Sequence, residues 1–290
     1  AGGVVIGEEL DKYMPLIASK GVRQTPWSEG MNVRQLEPMG FIKFDILGLA
    51  TLRMMEEAIE RILQNHHGVE NPTFADIKKY YDENLHPDVI NLNDQEVYKN
   101  IFQAGKWMGI FQFTEKGAQS LAKRAQPKSI IDISAITSIY RPGPLSAGVD
   151  KAYVDAVNDP LSVKYENEIV EEITRETSGF LIFQEQIALL ANRLGKNISL
   201  DDANLLRKLL TKKGLDAAKQ AKKEEIMTKF VEGCVEKNIS RNSAMDMWQK
   251  FEYFSGYGFN KSHAVAYSMI SYQTAWLATY YNAEWACAFL

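Results

Sequence analysis

Apolar residues recur with a helical period along most of the chain. In TLRMMEEAIERILQNHHG (51–68) they fall three and four positions apart, which places them on one face of a helix. Thr51 is the expected N-cap of this helix and Gly68 its expected stop. Similar patterns predict helices over parts of 74–82, 94–104, 115–125, 130–139, 165–176, 183–195, 201–213, 215–237, 241–253 and 263–289. The chain after residue 50 is therefore predicted to be mainly helical.

The first fifty residues have a different pattern, in which short apolar runs are broken by glycine and proline. GGVVIG (2–7) and MGFIKFDILGL (39–49) have the length and the Ile and Phe content of strands. After residue 50 there is no sustained alternation, and VENPTF, RPGPLSAG and VNDPLS have the composition of linkers. The predicted fold class is mainly α: a small α/β segment over 1–50, then a large, irregular helical body over 51–290.

The strand FIKFDIL places an acid among apolar residues. Alternation along a strand sends Phe44 and Ile46 to one face, into a core, and Lys43 and Asp45 together to the other. An unpaired buried carboxylate is costly, so Asp45 is either an ion-paired or hydrogen-bonded carboxylate at a strand edge, or a metal ligand beside a cation that meets phosphate. One carboxylate is too few for a magnesium site, and no D-x-D lies nearby. A metal site would therefore need acids from elsewhere.

Composition describes a globular chain without a global basic field. It is 46% hydrophobic and 24% charged with a net charge of -4, so only a local basic face could attract nucleic acid. Two cysteines, Cys234 and Cys287, are too few for a disulfide framework or a zinc cluster and indicate reduced thiols in a cytoplasmic protein. The start, AGGVVIGEEL, has no basic region ahead of its apolar run, so no secretory signal is predicted.

GYGFNKSH (256–263) combines glycines, an amide, a lysine, a hydroxyl and a histidine. It is not a Walker A loop, because Asn260 stands where that motif needs glycine before the lysine. A helix that begins at Asn260–Ser262 would present free amides to an anion, with Lys261 adding charge and His263 a planar polar group. A lone histidine is more often structural than functional, but these neighbours favour function.

The twenty residues after His263 carry no charge and raise the question of a membrane span. Ala264–Ala283 nevertheless holds serines, threonines, a glutamine and tyrosines, which is too polar for a membrane-spanning helix. The stretch is predicted to be a helix buried within protein, and no membrane partner is expected.

Two further stretches carry cations with two possible interpretations. In DDANLLRKLLTKKG (201–214), leucines 205, 206, 209 and 210 form an apolar stripe. Arg207 and Lys208 are followed by Lys212 and Lys213, and by further lysines at 219, 222 and 223. These cations form either a solvated face or a clamp for triphosphate or the DNA backbone. Arg141 precedes a rigid Pro-Gly-Pro turn, either as an ordinary exposed loop residue or as a preorganised phosphate contact.

In their order along the chain, these stretches together resemble the C-family replicative polymerases, the family of the α (catalytic) subunit of bacterial DNA polymerase III. The matching segments are AGGVVIG (1–7), KFDILGLATL (43–52), GIFQFTEKG (109–117), YRPGPLSAG (140–148), FQEQIALLA (183–191), DDANLLRKLLTKKG (201–214) and FSGYGFNKSHAVAYSMISYQTAWL (254–277). They extend over essentially the whole chain, and each one is weak when taken singly. The helix entries at 109–117 and 183–191 indicate only core aromatics by composition.

The resemblance implies an architecture and a set of site residues. Residues 1–50 would be the last part of a palm of nucleotidyltransferase type, and 51–290 the fingers. Asp45 matches the third metal-binding carboxylate, and its two partners would lie upstream. The implied contacts to the incoming nucleotide are Lys43, Arg207, Lys208, Asn260, Lys261, Ser262 and His263, with His263 near the sugar. The expected DNA contacts are Arg141, Lys212 and Lys213.

The implied reaction is template-directed addition of a deoxynucleotide to a primer 3′-OH with two magnesium ions. The partners would be primer-template DNA, dNTPs, the upstream palm, thumb and phosphoesterase-like domain, and a sliding clamp reached through downstream regions. The 290-residue piece is expected to be inactive by itself, because it holds one metal ligand. Two alternatives stay open: a non-catalytic nucleic-acid or partner-binding module, and an enzyme that binds a mononucleotide at the glycine-lysine loop.

Several positions depart from the family pattern. Lys208 stands where the family usually has a second arginine, and arginine and lysine bind phosphate differently. Thr211 replaces a common glycine, and FQFTEKG differs from the usual FQLESRG-like form. These departures indicate a divergent member, from a bacterium or a phage.

Overall fold

The computed structural model describes residues 2–6, 9–25, 40–46, 48–146, 148–211, 216–255 and 258–290. The chain divides into two compact units, Ala1–Arg53 and Met54–Leu290. Lys212 and Lys213 lie outside the described residues, as do the side chains of Lys43 and Asp45.

The described residues of the first unit form two small antiparallel sheets. Its strands are β1 (Gly2–Ile6), β2 (Ile17–Ser19), β3 (Val22–Gln24) and β4 (Ile42–Ile46). β1 pairs with β4, and β2 pairs with β3. The β2–β3 hairpin turns at Lys20 and Gly21, whose φ angles are 52° and 79°. Positive φ at both central residues is the geometry that matches the twist of a two-residue hairpin.

The prediction that Phe44 faces a core is wrong. Phe44 is 51% exposed, and Ile42, which lies on the same face of β4, is 57% exposed. A two-stranded sheet covers little apolar surface, and the buried cluster described in this unit consists of Met14 and Phe41. Phe44 therefore stays at the surface of the unit.

Helices make up most of the described second unit. They are α1 (Ala50–His67, which begins before the unit boundary), α2 (Phe74–Asn84), α3 (Gln95–Val97), α4 (Lys116–Ala125), α5 (Ile130–Ile139), α6 (Pro142–Ser146), α7 (Val149–Asn158), α8 (Glu168–Thr174), α9 (Gln184–Leu194), α10 (Leu200–Thr211), α11 (Ala217–Glu236), α12 (Arg241–Ser255), α13 (Lys261–Tyr280) and α14 (Asn282–Phe289). Among its described residues the β structure is a single bridge between Phe183 and Phe259. The predicted mainly α fold is thus confirmed.

α1 shows how the apolar period becomes a buried face. Met55, Ala58, Ile59, Ile62 and Leu63 are buried at the three- and four-residue spacing of one helix face. Gly68 follows the last helical residue with a φ of 70°, so the predicted stop is confirmed. The helix begins at Ala50, so Thr51 lies in its first turn and the predicted N-cap is wrong.

Three predicted segments differ from the structure. The expected helix over 263–289 is interrupted at Tyr281, where φ is -134° and ψ is 53°. The segment predicted over 94–104 is α-helical only at Gln95–Val97 and continues as a π-helix over Tyr98–Gln103, which buries Tyr98 and Phe102. The Pro-Gly-Pro segment is the short helix α6 rather than a loop, since proline fits the first turn of a helix.

The described residues of the second unit form two hydrophobic cores that meet near the start of α9. The first is formed mainly by α1, α2, α4, α5, α13 and α14, and it includes Phe183 and Ala264. The second is formed by α8 to α12, and it includes Ile187 and Leu206. The segment that leads into α9 therefore passes from one core to the other within five residues.

α13 is buried in the first core despite its polar residues, as predicted. Two of its buried polar side chains have carbonyl partners elsewhere in the protein: Gln273 Nε2 donates to the Leu85 carbonyl at 2.8 Å, and Tyr272 Oη donates to the Asn91 carbonyl at 2.6 Å. Among the described helices, none combines the length and the apolar character that crossing a bilayer requires.

Candidate functional site

The segment before α13 is joined to the segment before α9 by backbone and side-chain hydrogen bonds. The Phe259 N–H donates to the Ile182 carbonyl at 3.2 Å, and the Gln184 N–H donates to the Phe259 carbonyl at 2.9 Å. Gln184 Nε2 also donates to the Gly258 carbonyl at 2.7 Å. The two helices thus begin side by side although they are far apart in sequence.

Asn260 caps α13, and Glu185 occupies the first amide of that helix. Asn260 Oδ1 accepts from the His263 N–H at 2.9 Å and from Ser262 Oγ at 2.6 Å. Glu185 Oε2 accepts from the Lys261 N–H at 2.9 Å, and Glu185 Oε1 accepts from Asn260 Nδ2 at 2.7 Å. The predicted anion position at this helix start is therefore filled by a carboxylate of the protein itself.

Arg207 approaches the same carboxylate from α10. Its Nη1 lies 3.6 Å from Glu185 Oε1 and 3.5 Å from Gln184 Oε1, and its side chain is 24% exposed. Its Nε is buried without a hydrogen-bond partner, so the guanidinium is only partly satisfied. The next residue, Lys208, is exposed, so adjacent positions of α10 present one partly buried and one exposed cation. We call Gln184, Glu185, Arg207, Asn260 and Lys261 the Glu185 junction.

The side chain of Lys261 also has an acidic partner. Its Nζ donates to both oxygens of Glu176, at 2.6 Å and 2.7 Å, and lies 5.7 Å from the Phe183 ring centroid. Arg207 and Lys261, both predicted to meet phosphate, are therefore each paired with a carboxylate.

Arg141 and His263 flank the Phe259 ring. The Arg141 Cζ lies 3.8 Å from the ring centroid, a cation–π distance, and the His263 ring packs edge-on to Phe259 with centroids 5.3 Å apart. His263 also contacts Tyr267, at 4.1 Å between centroids. Partial burial lowers the pKa of Arg141 from its ordinary value. Arg141, for which the sequence predicts a DNA contact, thus lies next to the start of α13, whose residues are predicted to contact the nucleotide.

Sequence reasoning missed the roles of the three polar residues at the start of α9. Gln186 is buried, and its Oε1 accepts from the Ile182 and Phe183 N–H groups at 2.9 Å and 3.0 Å. Its Nε2 donates to Thr177 Oγ1 at 2.7 Å and to the Ile173 carbonyl at 3.3 Å. The signal available in the sequence was the run QEQ directly after aromatic residues, because a buried amide there has to satisfy the backbone of the helix entry.

The lysines of α11 do not form the bare basic face that one interpretation expected. Lys219 pairs with Asp216, Lys222 lies 3.3 Å from Asp202 and 3.2 Å from Glu225, and Lys223 lies 2.7 Å from Glu252. These ion pairs favour the solvated-face interpretation for this helix. In the apolar stripe of α10, Leu206 and Leu209 are buried, whereas Leu205 is 39% exposed because it lies about 100° around the helix from Leu206.

A groove of about 790 Å³ runs along one face of α13 from the junction. Glu185 and Lys261 line one end, Val265 and Met269 the middle, and Gln273 the other end. An apolar concavity with a few polar groups at its ends is typical of a small-molecule site.

Asp45 is described only through its backbone. Strand β4 places it opposite Gly3 of β1, with Lys43 opposite Val5 on the same side of the pleat. Among the side chains that the structure describes, no group of three or more His, Cys, Asp or Glu residues could hold a metal ion. One carboxylate does not suffice for magnesium, so a metal site at Asp45 would need further acidic ligands.

Comparison with known proteins places the chain in a family. Residues 51–238, more than half of it, match the family model of the bacterial DNA polymerase III alpha subunit finger domain. This range includes Arg141, Glu185 and Arg207, whereas Asn260–His263 lie beyond it.

Similar proteins cover the whole chain, including the start of α13. DNA polymerase III subunit alpha of Campylobacter jejuni is 36% identical over 295 residues, which is 100% of this chain and 22% of that protein. The subunits of Treponema pallidum and Aquifex aeolicus are each 33% identical, over 99% and 98% of this chain and 23% and 22% of those proteins. The chain thus spans about a fifth of the length of these curated relatives, and it belongs to the family of the finger domain of bacterial DNA polymerase III alpha subunits.

Proposed function

We propose that this chain forms the fingers, and the last part of the palm, of a replicative DNA polymerase. The subunit would add dNTPs to a primer 3′-OH on a DNA template and release pyrophosphate. The observation that carries the proposal is the convergence of Arg207, Lys261 and Arg141 at the start of α13 in a chain of this family.

The proposed task of Arg207 and Lys261 is to position the triphosphate and to stabilise its developing charge. Positioning and electrostatic stabilisation supply most of the catalysis in phosphoryl transfer. The Arg207 side chain is 24% exposed and its Nη1 lies 3.6 Å from Glu185 Oε1, longer than a charge-assisted hydrogen bond, which supports a further anionic contact. Lys208, Ser262 and His263 are exposed beside these residues and are proposed to contact the nucleotide, with His263 near the sugar.

Asp45 and Lys43, in the palm segment, are proposed to act in the same reaction. Magnesium, when bound, would activate the primer hydroxyl and stabilise the leaving oxygens. Asp45 would provide one of its carboxylate ligands and Lys43 a positive charge near the triphosphate. The other acidic ligands, the DNA-binding thumb and the contact to a sliding clamp would come from regions beyond these 290 residues. Lys212, Lys213 and Arg141 are proposed to contact primer-template DNA.

A non-catalytic binding module is the second candidate. It is favoured by the pairing of Arg207 with Glu185 and of Lys261 with Glu176, since paired cations attract phosphate less than free ones. In such a module the Glu185 junction would only hold the helices together.

Primer extension by the full-length subunit, with and without substitution of Asp45, separates the two candidates. In a full-length catalytic subunit that contains this chain, Asp45→Asn should abolish primer extension while binding to primer-template DNA persists. Asp11→Asn, which changes an exposed acid in the same unit, is the matched control and should extend primers normally. Near-normal extension by Asp45→Asn would refute the assignment of Asp45 as a metal ligand, whereas a full-length subunit that extends no primer even without substitution would favour the binding module.

A further inference from the structure

Glu185 is the residue on which the junction converges. Its two oxygens accept from Asn260 Nδ2 and from the Lys261 N–H at 2.7 Å and 2.9 Å, and its Oε1 lies 3.6 Å from Arg207 Nη1. Glu185 lies in the first turn of α9. Its carboxylate therefore contacts both the start of α13 and the Arg207 side chain of α10.

These contacts connect the two hydrophobic cores of the second unit. Arg207 follows Leu206, which is packed in the second core, and Lys261 opens the helix whose Ala264 is packed in the first. Phe183 and Ile187, on either side of Glu185, belong to different cores. The Glu185 side chain thus fixes the separation between Arg207 and the start of α13.

An arginine side chain loses considerable rotamer entropy when it is held in one geometry. A charged acceptor that holds the guanidinium before substrate arrives reduces the cost of ordering it during binding. Glu185 is suited to this role because both its oxygens are engaged by a neighbouring helix entry, which keeps the carboxylate itself in place.

We propose that Glu185 is a positioning residue that orients Arg207 toward the triphosphate of an incoming nucleotide. The inference rests on the proposed function, since it names the residue that prepares the Arg207 contact. Glu185 is not a competitor for the site: to yield to a phosphate it would have to release both hydrogen bonds at the start of α13 as well as the ion pair.

The test is a double-mutant cycle in a full-length catalytic subunit that contains this chain, with steady-state primer extension as the readout. Glu185→Gln removes the charge and keeps the shape of the side chain. It should raise KM about tenfold for each of the four dNTPs and change kcat by less than about threefold, a coupling within the range found for contacting residues. Glu185→Asp, which keeps the charge, should recover part of the loss.

The double-mutant cycle tests whether Glu185 acts on KM through Arg207. In an Arg207→Ala background, Glu185→Gln should change KM by less than about twofold, because the residue that it positions is gone. Glu172→Gln removes an exposed partner of Arg193 on α9 and is the matched control, with no change in KM expected. Thermal unfolding of each variant checks that the fold is retained.

Each outcome that contradicts the inference has a different meaning. An undiminished effect of Glu185→Gln without Arg207 would show a merely structural role, and a lower KM would show that Glu185 competes with the triphosphate. Either result overturns the inference and leaves the proposed function standing. The same holds if Glu185→Gln leaves KM unchanged while Arg207→Ala raises KM. If Arg207→Ala itself leaves KM unchanged, the proposed triphosphate contact fails and the inference fails with it.

Discussion

The guanidinium of Arg141 lies over the ring of Phe259, with 3.8 Å between the arginine Cζ and the ring centroid. This contact ties the residue before α6 to the segment that enters α13. It places Arg141 beside the Glu185 junction, where an arginine held by an aromatic face is preorganised for an anionic partner.

Replacing the Phe259 ring should release Arg141. We expect a coupling of about 1 kcal/mol between Phe259→Leu and Arg141→Met in the free energy of unfolding, the size of a partly desolvated cation–π contact. Chemical denaturation of the chain and of the three variants measures it. Arg175→Met, which changes an exposed arginine that pairs with Glu171, is the control for Arg141 and should show no coupling. A coupling of zero for Arg141 would show that the ring does not hold the guanidinium.

Gln186 should be the costliest single substitution at the start of α9. Gln186→Leu keeps the size of the side chain but leaves the Ile182 and Phe183 N–H groups without their acceptor. Unpaired buried groups cost about 1–3 kcal/mol each, so with two of them the free energy of unfolding should fall by about 2–6 kcal/mol. Gln64→Leu, at an exposed position of α1, should change it by less than about 0.5 kcal/mol. Equal effects of the two changes in urea unfolding would contradict the buried network.

Acid should weaken the contact between α1 and α14. Hydrogen bonds from Asn65, and then from His66, lower the pKa of the buried Glu284 carboxylate from its ordinary value of 4.5. A carboxylate whose folded-state pKa is lowered contributes stability above its unfolded-state pKa, and that contribution is lost as the pH falls through the lower, folded-state pKa. The free energy of unfolding should therefore decrease as the pH falls below about 5.

Glu284→Gln isolates this contribution. The variant should show a flatter dependence of the free energy of unfolding on pH over the acidic range, since the titrating group is gone. Asn65→Ala removes the main cause of the lowered pKa and should flatten the same part of the curve. Parallel curves for the wild-type chain and Glu284→Gln in urea unfolding from pH 3 to 7 would show that another group governs the acid response.

Much of the helical body could be predicted because its signals are local. The apolar face of α1 and its glycine stop follow from spacing and backbone preference within one helix. α13 was identifiable as a buried protein helix from its polar residues, which need partners that a bilayer does not offer. The β2–β3 hairpin was missed because strands of three residues are too short to show alternation.

The partners of the site residues could not be predicted, because they are distant in sequence. Asn260, Lys261 and Arg207 were identified as candidates by residue type and by family resemblance. Glu185 was missed, since an acid in the first turn of a helix is ordinarily explained by the helix dipole. The acids that pair with the α11 lysines include Asp202 and Glu252 on neighbouring helices. These pairs depend on the tertiary structure, so the sequence did not show that the basic face of the lysines is neutralised.

The central claim is that the cations at the start of α13 meet the triphosphate of an incoming nucleotide. The most direct measurement is KM for each of the four dNTPs in a full-length catalytic subunit that carries Arg207→Ala. Loss of a charge-assisted phosphate contact should raise all four KM values by a similar factor, about 10- to 100-fold. Arg193→Ala, an exposed arginine on α9, is the control and should leave them unchanged. Unchanged KM values in Arg207→Ala, or an increase confined to some of the four bases, would contradict the claim.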